Sequence, residues 1–341
     1  MQQCNVDQAV FYRIQGDSLI VIVAHVDDLT IATTSTKLMT IVKAALTKHV
    51  QITDGGELHW VLGIKVERDR DNRMLSLSQK QYLETIIARY GSTNMKPSTT
   101  PMEPGAYLTS VQSPKTAEEF ATMRDKPYRE AIGSLQYASG GTRPDITYAT
   151  SVLTRFNDNP GPGHWKAVTK ILAYLHGTLD YKLTYGTTDS SLVGYSDADG
   201  SMLEDRKAIS GSAFIIDGGA VTWSSKKQEL VSLSTTESEY VAATHATKEA
   251  LWLISLIKQI FGHLDLPVTL FNDNQSAIAL AKDQQYHART KHIDIRFHFI
   301  SFAGSSRKEK SNSFIVLLKT WLPTRLRRHY LVLGSKSSLM R

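Results

Sequence analysis

The chain has 341 residues, with 39 Lys and Arg against 33 Asp and Glu, for a net charge of +6 on an ordinary globular composition. A lone cysteine, Cys4, excludes an internal disulfide and fits a reducing compartment; no apolar run approaches the roughly 20 residues of a membrane helix, and the N-terminus lacks the basic start of a signal peptide. The positive charge does not by itself imply a nucleic-acid partner, because Ser305–Arg341 holds nine Lys and Arg against Glu309 alone and leaves residues 1–304 at −2.

In chain order, residues 10–34 read as paired strands. Within them LIVIVAHVDDLTIATT, Leu19–Thr34, sets Asp27 and Asp28 side by side among Val, Ile and Thr. Adjacent carboxylates repel unless a positive charge lies between them. Two readings stay open on the pattern alone: a solvated hairpin turn, or two acids at a hairpin end placed for divalent cations. Lys37–His49 has helical spacing. Trp60–Val66 and Met74–Ser78 read as a hairpin across RDRDNR, and Gln79–Tyr90 as a helix stopped by Gly91. Met95–Tyr107, rich in Pro, Ser and Thr, reads as a linker.

Three helical patterns follow, Tyr128–Ser139, Pro144–Phe156 and His164–His176, with Pro144 at a first helical position and Gly177 as a stop. Core packing is their default explanation. From Ser191 the texture changes. SLVGYSD is a strand ending in acid, and ISGSAFIID and AVTWSSKK are two more, joined at Gly218-Gly219. Ser234 and Glu237 form a capping box for a long helix that Gly262 ends. VTLFND is a fourth strand, and Asn274 caps a short helix through Lys282. Strands, helix, strand and helix predict an α/β unit with a mixed sheet.

Three acids of this unit stand out. Asp197 follows its first strand, Asp273 ends its fourth, and Glu239 lies in the early turns of the long helix. Singly, each fits a solvated strand end or a helix cap. If the first and fourth strands are adjacent and parallel, Asp197 and Asp273 emerge at one sheet edge. A helix over that edge brings Glu239 alongside, in a set suited to Mg²⁺.

The stretch from GYSDADG to WSSKKQELVSLSTTESEYVAATHATKEALWL, with LFNDNQSAIALAKDQQYHARTKHIDIRFHFI, resembles the ribonuclease H domain of copia-type LTR retrotransposon Pol polyproteins. YREAIGSLQYASGGTRPDITYATSVLTRF and NPGPGHWKAVTKILAYLHGTLDYKLTYG resemble that family's segment between polymerase and nuclease, and the opening region resembles the C-terminal part of its reverse-transcriptase palm. The resemblance covers roughly residues 1–300. It implies a palm remnant over 1–100, a helical connection over 101–186 and a ribonuclease H-like mixed sheet with flanking helices over 187–304; beyond it, residues 305–341 read as a basic tail expected to be disordered. By resemblance, Asp27 and Asp28 are two of three polymerase metal ligands, with His25 where the family has an aromatic. The strand with Trp60, Leu62, Gly63 and Ile64 resembles the family's primer-contacting hairpin, and Asp197, Glu239 and Asp273 are three of four nuclease carboxylates. The implied cofactor is Mg²⁺ in an incomplete two-metal site. The implied partners are an RNA–DNA hybrid, template–primer nucleic acid and the missing upstream Pol segments, with no membrane, in a cytoplasmic particle or the nucleus.

Two pieces of the family pattern are not found. Asp7 and Asp17 precede the hairpin in no fitting motif, so the fingers and half the palm are expected to be absent and polymerisation by the chain alone is not expected. The fourth nuclease acid is also missing; Asp294 is a nearby acid better suited to a packing helix. Hydrolysis of RNA in RNA–DNA hybrids is the implied activity, and an inactive relic with weak nucleic-acid binding is the alternative. The tail is expected to be out of frame, because KTWLPTRLRRHYL, Lys319–Leu331, can be back-translated and re-read one nucleotide earlier as the missing motif. A genuine phosphate-binding tail is the competing reading. An out-of-frame tail leaves the fifth strand of the nuclease sheet missing or improvised.

Overall fold

A computed structural model of the chain describes residues 1–92, 94–186, 191–199, 205–264, 267–282 and 316–320. Strands β1 (Gln2–Gln3), β2 (Val10–Gln15), β3 (Ser18–His25) and β4 (Asp28–Thr33) form an antiparallel sheet in sequence order. Alternation along β3 divides its side chains between the two faces. Ile20 and Ile22 pack with Phe11 and Ile31 under helix α1 (Thr36–Thr47), which offers Leu38, Val42 and Leu46. Val21 joins Cys4, Val10 and Tyr12 on the other face.

A second unit begins at β5 (Trp60–Val61), β6 (Ile64–Asp69) and β7 (Met74–Ser78), continues through α2 (Lys80–Tyr90), and runs to α3 (Ala117–Met123), α4 (Tyr128–Gly141), α5 (Thr147–Thr154), α6 (Pro162–Gly177) and β8 (Leu183–Tyr185). The sheet order β5-β6-β7-β8 joins the early hairpin to the last strand of this unit. Leu83 and Ile86 of α2 lie in one core with Ile132, Leu135, Leu153, Val168, Ile171 and Leu172. The boundary expected near residue 100 therefore crosses a continuous core. The expected strand through Trp60–Val66 is instead a tight hairpin, because Leu62 (φ 48°) and Gly63 (φ 72°) are left-handed. The Tyr137 hydroxyl of α4 donates to the Leu62 carbonyl and seats this turn on the helices.

Arg143 is fully buried in that core, where Nη2 donates to Asp145 Oδ2 at 2.7 Å and Nε to Oδ1 at 2.9 Å. The Tyr174 hydroxyl donates to the same Asp145 Oδ2 at 2.8 Å, and the rings of Tyr174 and Tyr181 each lie 5.5 Å from the guanidinium carbon. A buried charge is tolerable only with such pairing.

The third unit contains β9 (Val193–Asp199), β10 (Ile209–Ile216), β11 (Gly219–Lys227), α7 (Thr235–Phe261), β12 (Val268–Asn272), α8 (Gln275–Lys282) and β13 (Val316–Thr320). Its sheet runs β11-β10-β9-β12-β13, antiparallel across the first three strands and parallel from β9 through β12 to β13. The hairpin turn expected at Gly218-Gly219 falls one residue earlier, on Asp217 (φ 50°) and Gly218 (φ 80°), and Gly219 opens β11 opposite Ile216. Gly194 is required where it stands, since a Cβ there would lie 2.4 Å from the Phe214 ring and 2.9 Å from Leu270. Tyr240, Val241, Ala246, Ala250 and Ile254 of α7 close the core over Phe214, Val268 and Leu270.

The α/β class expected from the sequence is the class observed. The fifth strand, expected to be missing or improvised, is present at Val316–Thr320, which pairs in register with Val268–Asn272. A run of β-formers inside the basic tail supplies that strand. The rest of the tail, including the re-read stretch beyond Thr320, lies outside the described residues, as does Asp294. The far end of α7 holds the first sheet. Leu256 and Ile260 pack on Val10, Tyr12 and Val21, and Gln259 Oε1 accepts from the Asn5 amide at 2.9 Å.

Candidate functional site

Parallel pairing of β9 with β12, in the register Thr269↔Val193 to Phe271↔Tyr195, sends both strands toward the same sheet edge. Asp197 lies within β9, two residues from its end, rather than after it, and Asp273 immediately follows β12. Ser234 fixes the start of α7, its side chain accepting from the Glu237 amide, which places Glu239 over that edge. One carboxylate oxygen from each of Asp197, Glu239 and Asp273 lies within 4.8 Å of the other two. Among the described residues this is the only such cluster of His, Cys, Asp and Glu able to hold a metal ion.

The electrostatics follow from this crowding. Glu239 is 6 % exposed. Burial, and then the Asp197 charge, push its carboxyl up to about 8. Asp197 is raised too, by the protein packed around it and by the Asp273 charge, although its side chain reaches solvent. Glu239 and Asp197 hydrogen-bond to each other, which raises the first and lowers the second. Both carboxyls are raised, and the pair shares a proton whose titration belongs to the two together. Asp197 Oδ1 also accepts from the Ala198 amide at 2.9 Å.

The other predicted acids are arranged differently. The register His25↔Asp28 leaves Val26 and Asp27 as a two-residue turn. Asp27 and Asp28 are exposed at its tip. Val26, a β-branched residue at φ 54°, is strained there. Among the described residues no third His, Cys, Asp or Glu joins them in a cluster that could hold an ion. Among the described residues β4 pairs only with β3 and forms an edge of its sheet.

Several residues that shape the site were not singled out from the sequence. Asn272 is buried beneath the carboxylates and donates from Nδ2 to Glu239 Oε2 at 3.0 Å. Gln228, also buried, donates from Nε2 to Ser210 Oγ and to the Ser238 carbonyl, each at 2.9 Å, and pins the first turn of α7 to β10. The Tyr148 hydroxyl of α5 donates to Asp199 Oδ2 at 2.8 Å and ties the helical unit to the strand bearing Asp197. A lone Asn or Gln in a strand or loop breaks no periodicity; only the NDN spacing around Asp273 hints at a role.

The family model described as reverse transcriptase (RNA-dependent DNA polymerase) matches residues 1–104. Over 291 residues the chain is 42% identical to the retrovirus-related Pol polyprotein from transposon TNT 1-94 of Nicotiana tabacum, an alignment covering 85% of this chain and 22% of that protein. It is 34% identical over 299 residues to the retrovirus-related Pol polyprotein from transposon RE2 of Arabidopsis thaliana, covering 86% and 20% respectively. It is also 45% identical over 133 residues to the secreted RxLR effector protein 161 of Plasmopara viticola, covering 38% of this chain and 94% of that protein. The chain spans about a fifth of the length of the Pol polyproteins it matches. No solved structure matches it.

Proposed function

This chain belongs to the copia-type retrotransposon Pol polyprotein family, and we propose that its third unit hydrolyses the RNA strand of RNA–DNA hybrids at Asp197, Glu239 and Asp273. The observation that carries this reading is the convergence of the three carboxylates, with oxygens within 4.8 Å of one another.

The donor set fits a hard divalent cation. It is all oxygen, it concentrates negative charge, and its shared proton is one a cation would displace. Mg²⁺ bound there would polarise the scissile phosphate and generate a nucleophilic water near neutral pH. The chain's own part is to hold the ligands in place. β9 and β12 present Asp197 and Asp273 from adjacent parallel strands, and α7 closes Glu239 against them. A site on a sheet edge is open to a duplex, and selectivity for the hybrid would come from groove shape and the RNA 2′-hydroxyl rather than base sequence. The hairpin acids Asp27 and Asp28 carry no catalysis in the chain alone under this reading, because no third ligand among the described residues meets them. No helix among the described residues is long and apolar enough to cross a membrane.

The test is cleavage of a labelled RNA–DNA hybrid, with single-stranded RNA, double-stranded RNA and double-stranded DNA beside it, in Mg²⁺ and in EDTA. Expected are internal cuts confined to the RNA of the hybrid, lost in EDTA and lost in Asp197→Asn. Binding of the hybrid without cleavage would overturn the proposal in favour of a binding relic. Cleavage that survives Asp197→Asn would show that the activity resides elsewhere.

A further inference from the structure

Along β12 the buried positions alternate, Val268, Leu270 and then Asn272. The first two are hydrocarbon. The third is an amide, 1 % exposed, at a position where an unpaired polar group carries a desolvation cost. Its bonds explain why it is there. Nδ2 donates to Glu239 Oε2 at 3.0 Å and lies 3.3 Å from the Ser196 carbonyl and 3.2 Å from Ser196 Oγ. Oδ1 accepts from the Asn274 amide at 2.9 Å. The orientation of the amide is not arbitrary: the Asn274 N–H requires an acceptor on one side, and the Ser196 carbonyl requires a donor on the other.

These partners map onto all three carboxylates. Ser196 precedes Asp197, Asn272 and Asn274 flank Asp273, and Glu239 is touched directly. We propose that Asn272 is a positioning residue that orients the Glu239 carboxylate and locks β9, β12 and α7 into one rigid cation site. The inference rests on the divalent-cation reading given above. The choice of group is chemically specific. A lysine would pair with Glu239 and compete with a cation. A serine would not reach three partners. An aliphatic side chain would leave Glu239 Oε2 and the Ser196 carbonyl without this donor, free to turn away from the other ligands. A neutral amide donor orients the carboxylate and leaves its charge available. Groups that orient metal ligands in this way are worth roughly 10–100-fold in metal affinity.

The experiment is Mn²⁺ titration of the full chain without nucleic acid, followed by the electron paramagnetic resonance signal of the free ion, for wild type, Asp197→Asn and Asn272→Leu, with melting curves for each. Expected is saturable binding by wild type, loss in Asp197→Asn, and binding at least about tenfold weaker in a folded Asn272→Leu. A merely structural role for Asn272 would shift the melting temperature and leave the affinity of the folded protein unchanged, and that result would overturn the proposal while the cation site stands. Absence of binding by wild type would overturn both. Should Asn272→Leu fail to fold, Asn272→Ala, whose cavity admits water to the orphaned groups, is read by the same two criteria.

Discussion

Glu239→Gln is expected to stabilise the metal-free chain near neutral pH and to abolish its stabilisation by divalent cations. Burial, and then the Asp197 charge, raise the Glu239 carboxyl from its ordinary 4.5 to about 8. Between those values the folded state keeps a proton that the unfolded state has released. Stability is then greatest below about pH 4.5 and declines as the pH rises toward 8. At about 1.4 kcal/mol per unit, the decline between about pH 5 and pH 7.5 is roughly 3 kcal/mol. The titration belongs to the Glu239–Asp197 pair, so the measured midpoint is that of the pair. Glutamine imitates the protonated acid: its amide can donate to Asp197, and its carbonyl oxygen can still accept from Asn272 Nδ2. The assay is hydrogen exchange at α7 amides in EDTA across this pH range, which isolates the third unit from the helical core. Wild type should lose protection with rising pH, and Glu239→Gln should hold it. Mg²⁺ should restore protection to wild type at the alkaline end and not to the variant. Parallel pH slopes for the two proteins would show that the proton does not reside at this site.

Three further outcomes are expected. Arg143→Ala leaves Asp145 buried without its cation and should cost about 3–5 kcal/mol by urea unfolding, and Arg143→Met combined with Asp145→Leu should recover most of it. Gly194→Ala forces a methyl against Phe214 and Leu270, so the third unit should lose about 1–3 kcal/mol in the same measurement. Asp27→Asn should leave hybrid cleavage unchanged within error, since Asp27 stands outside the acid cluster.

Much of the candidate site is legible in the sequence because its ligands sit at punctuation: a strand end, a capped helix start, and a strand followed by an Asn-capped helix. The α/β class is legible because strand and helix periods alternate cleanly from Ser191 to Lys282. What is not legible has physical causes. β8, three residues long, is too short to show a period, yet it joins the early hairpin to the helical unit. Arg143 reads as a surface charge until Asp145 and Thr178 are folded around it. The Leu62–Gly63 turn interrupts what alternation alone presents as one strand. Strand β13 is obscured by the basic residues around it. Asn272 acts through Ser196, 76 residues away, and Gln228 bridges β10 and α7 across an intervening loop, which no strand or helix period predicts.

Whether Asp197, Glu239 and Asp273 together bind divalent cations is decided by anomalous diffraction from crystals grown with Mn²⁺. Expected is an anomalous peak within ligand distance, about 2.0–2.3 Å, of carboxylate oxygens from all three residues, absent in crystals of Asp197→Asn. Saturating Mn²⁺ with no peak among these carboxylates would contradict that binding.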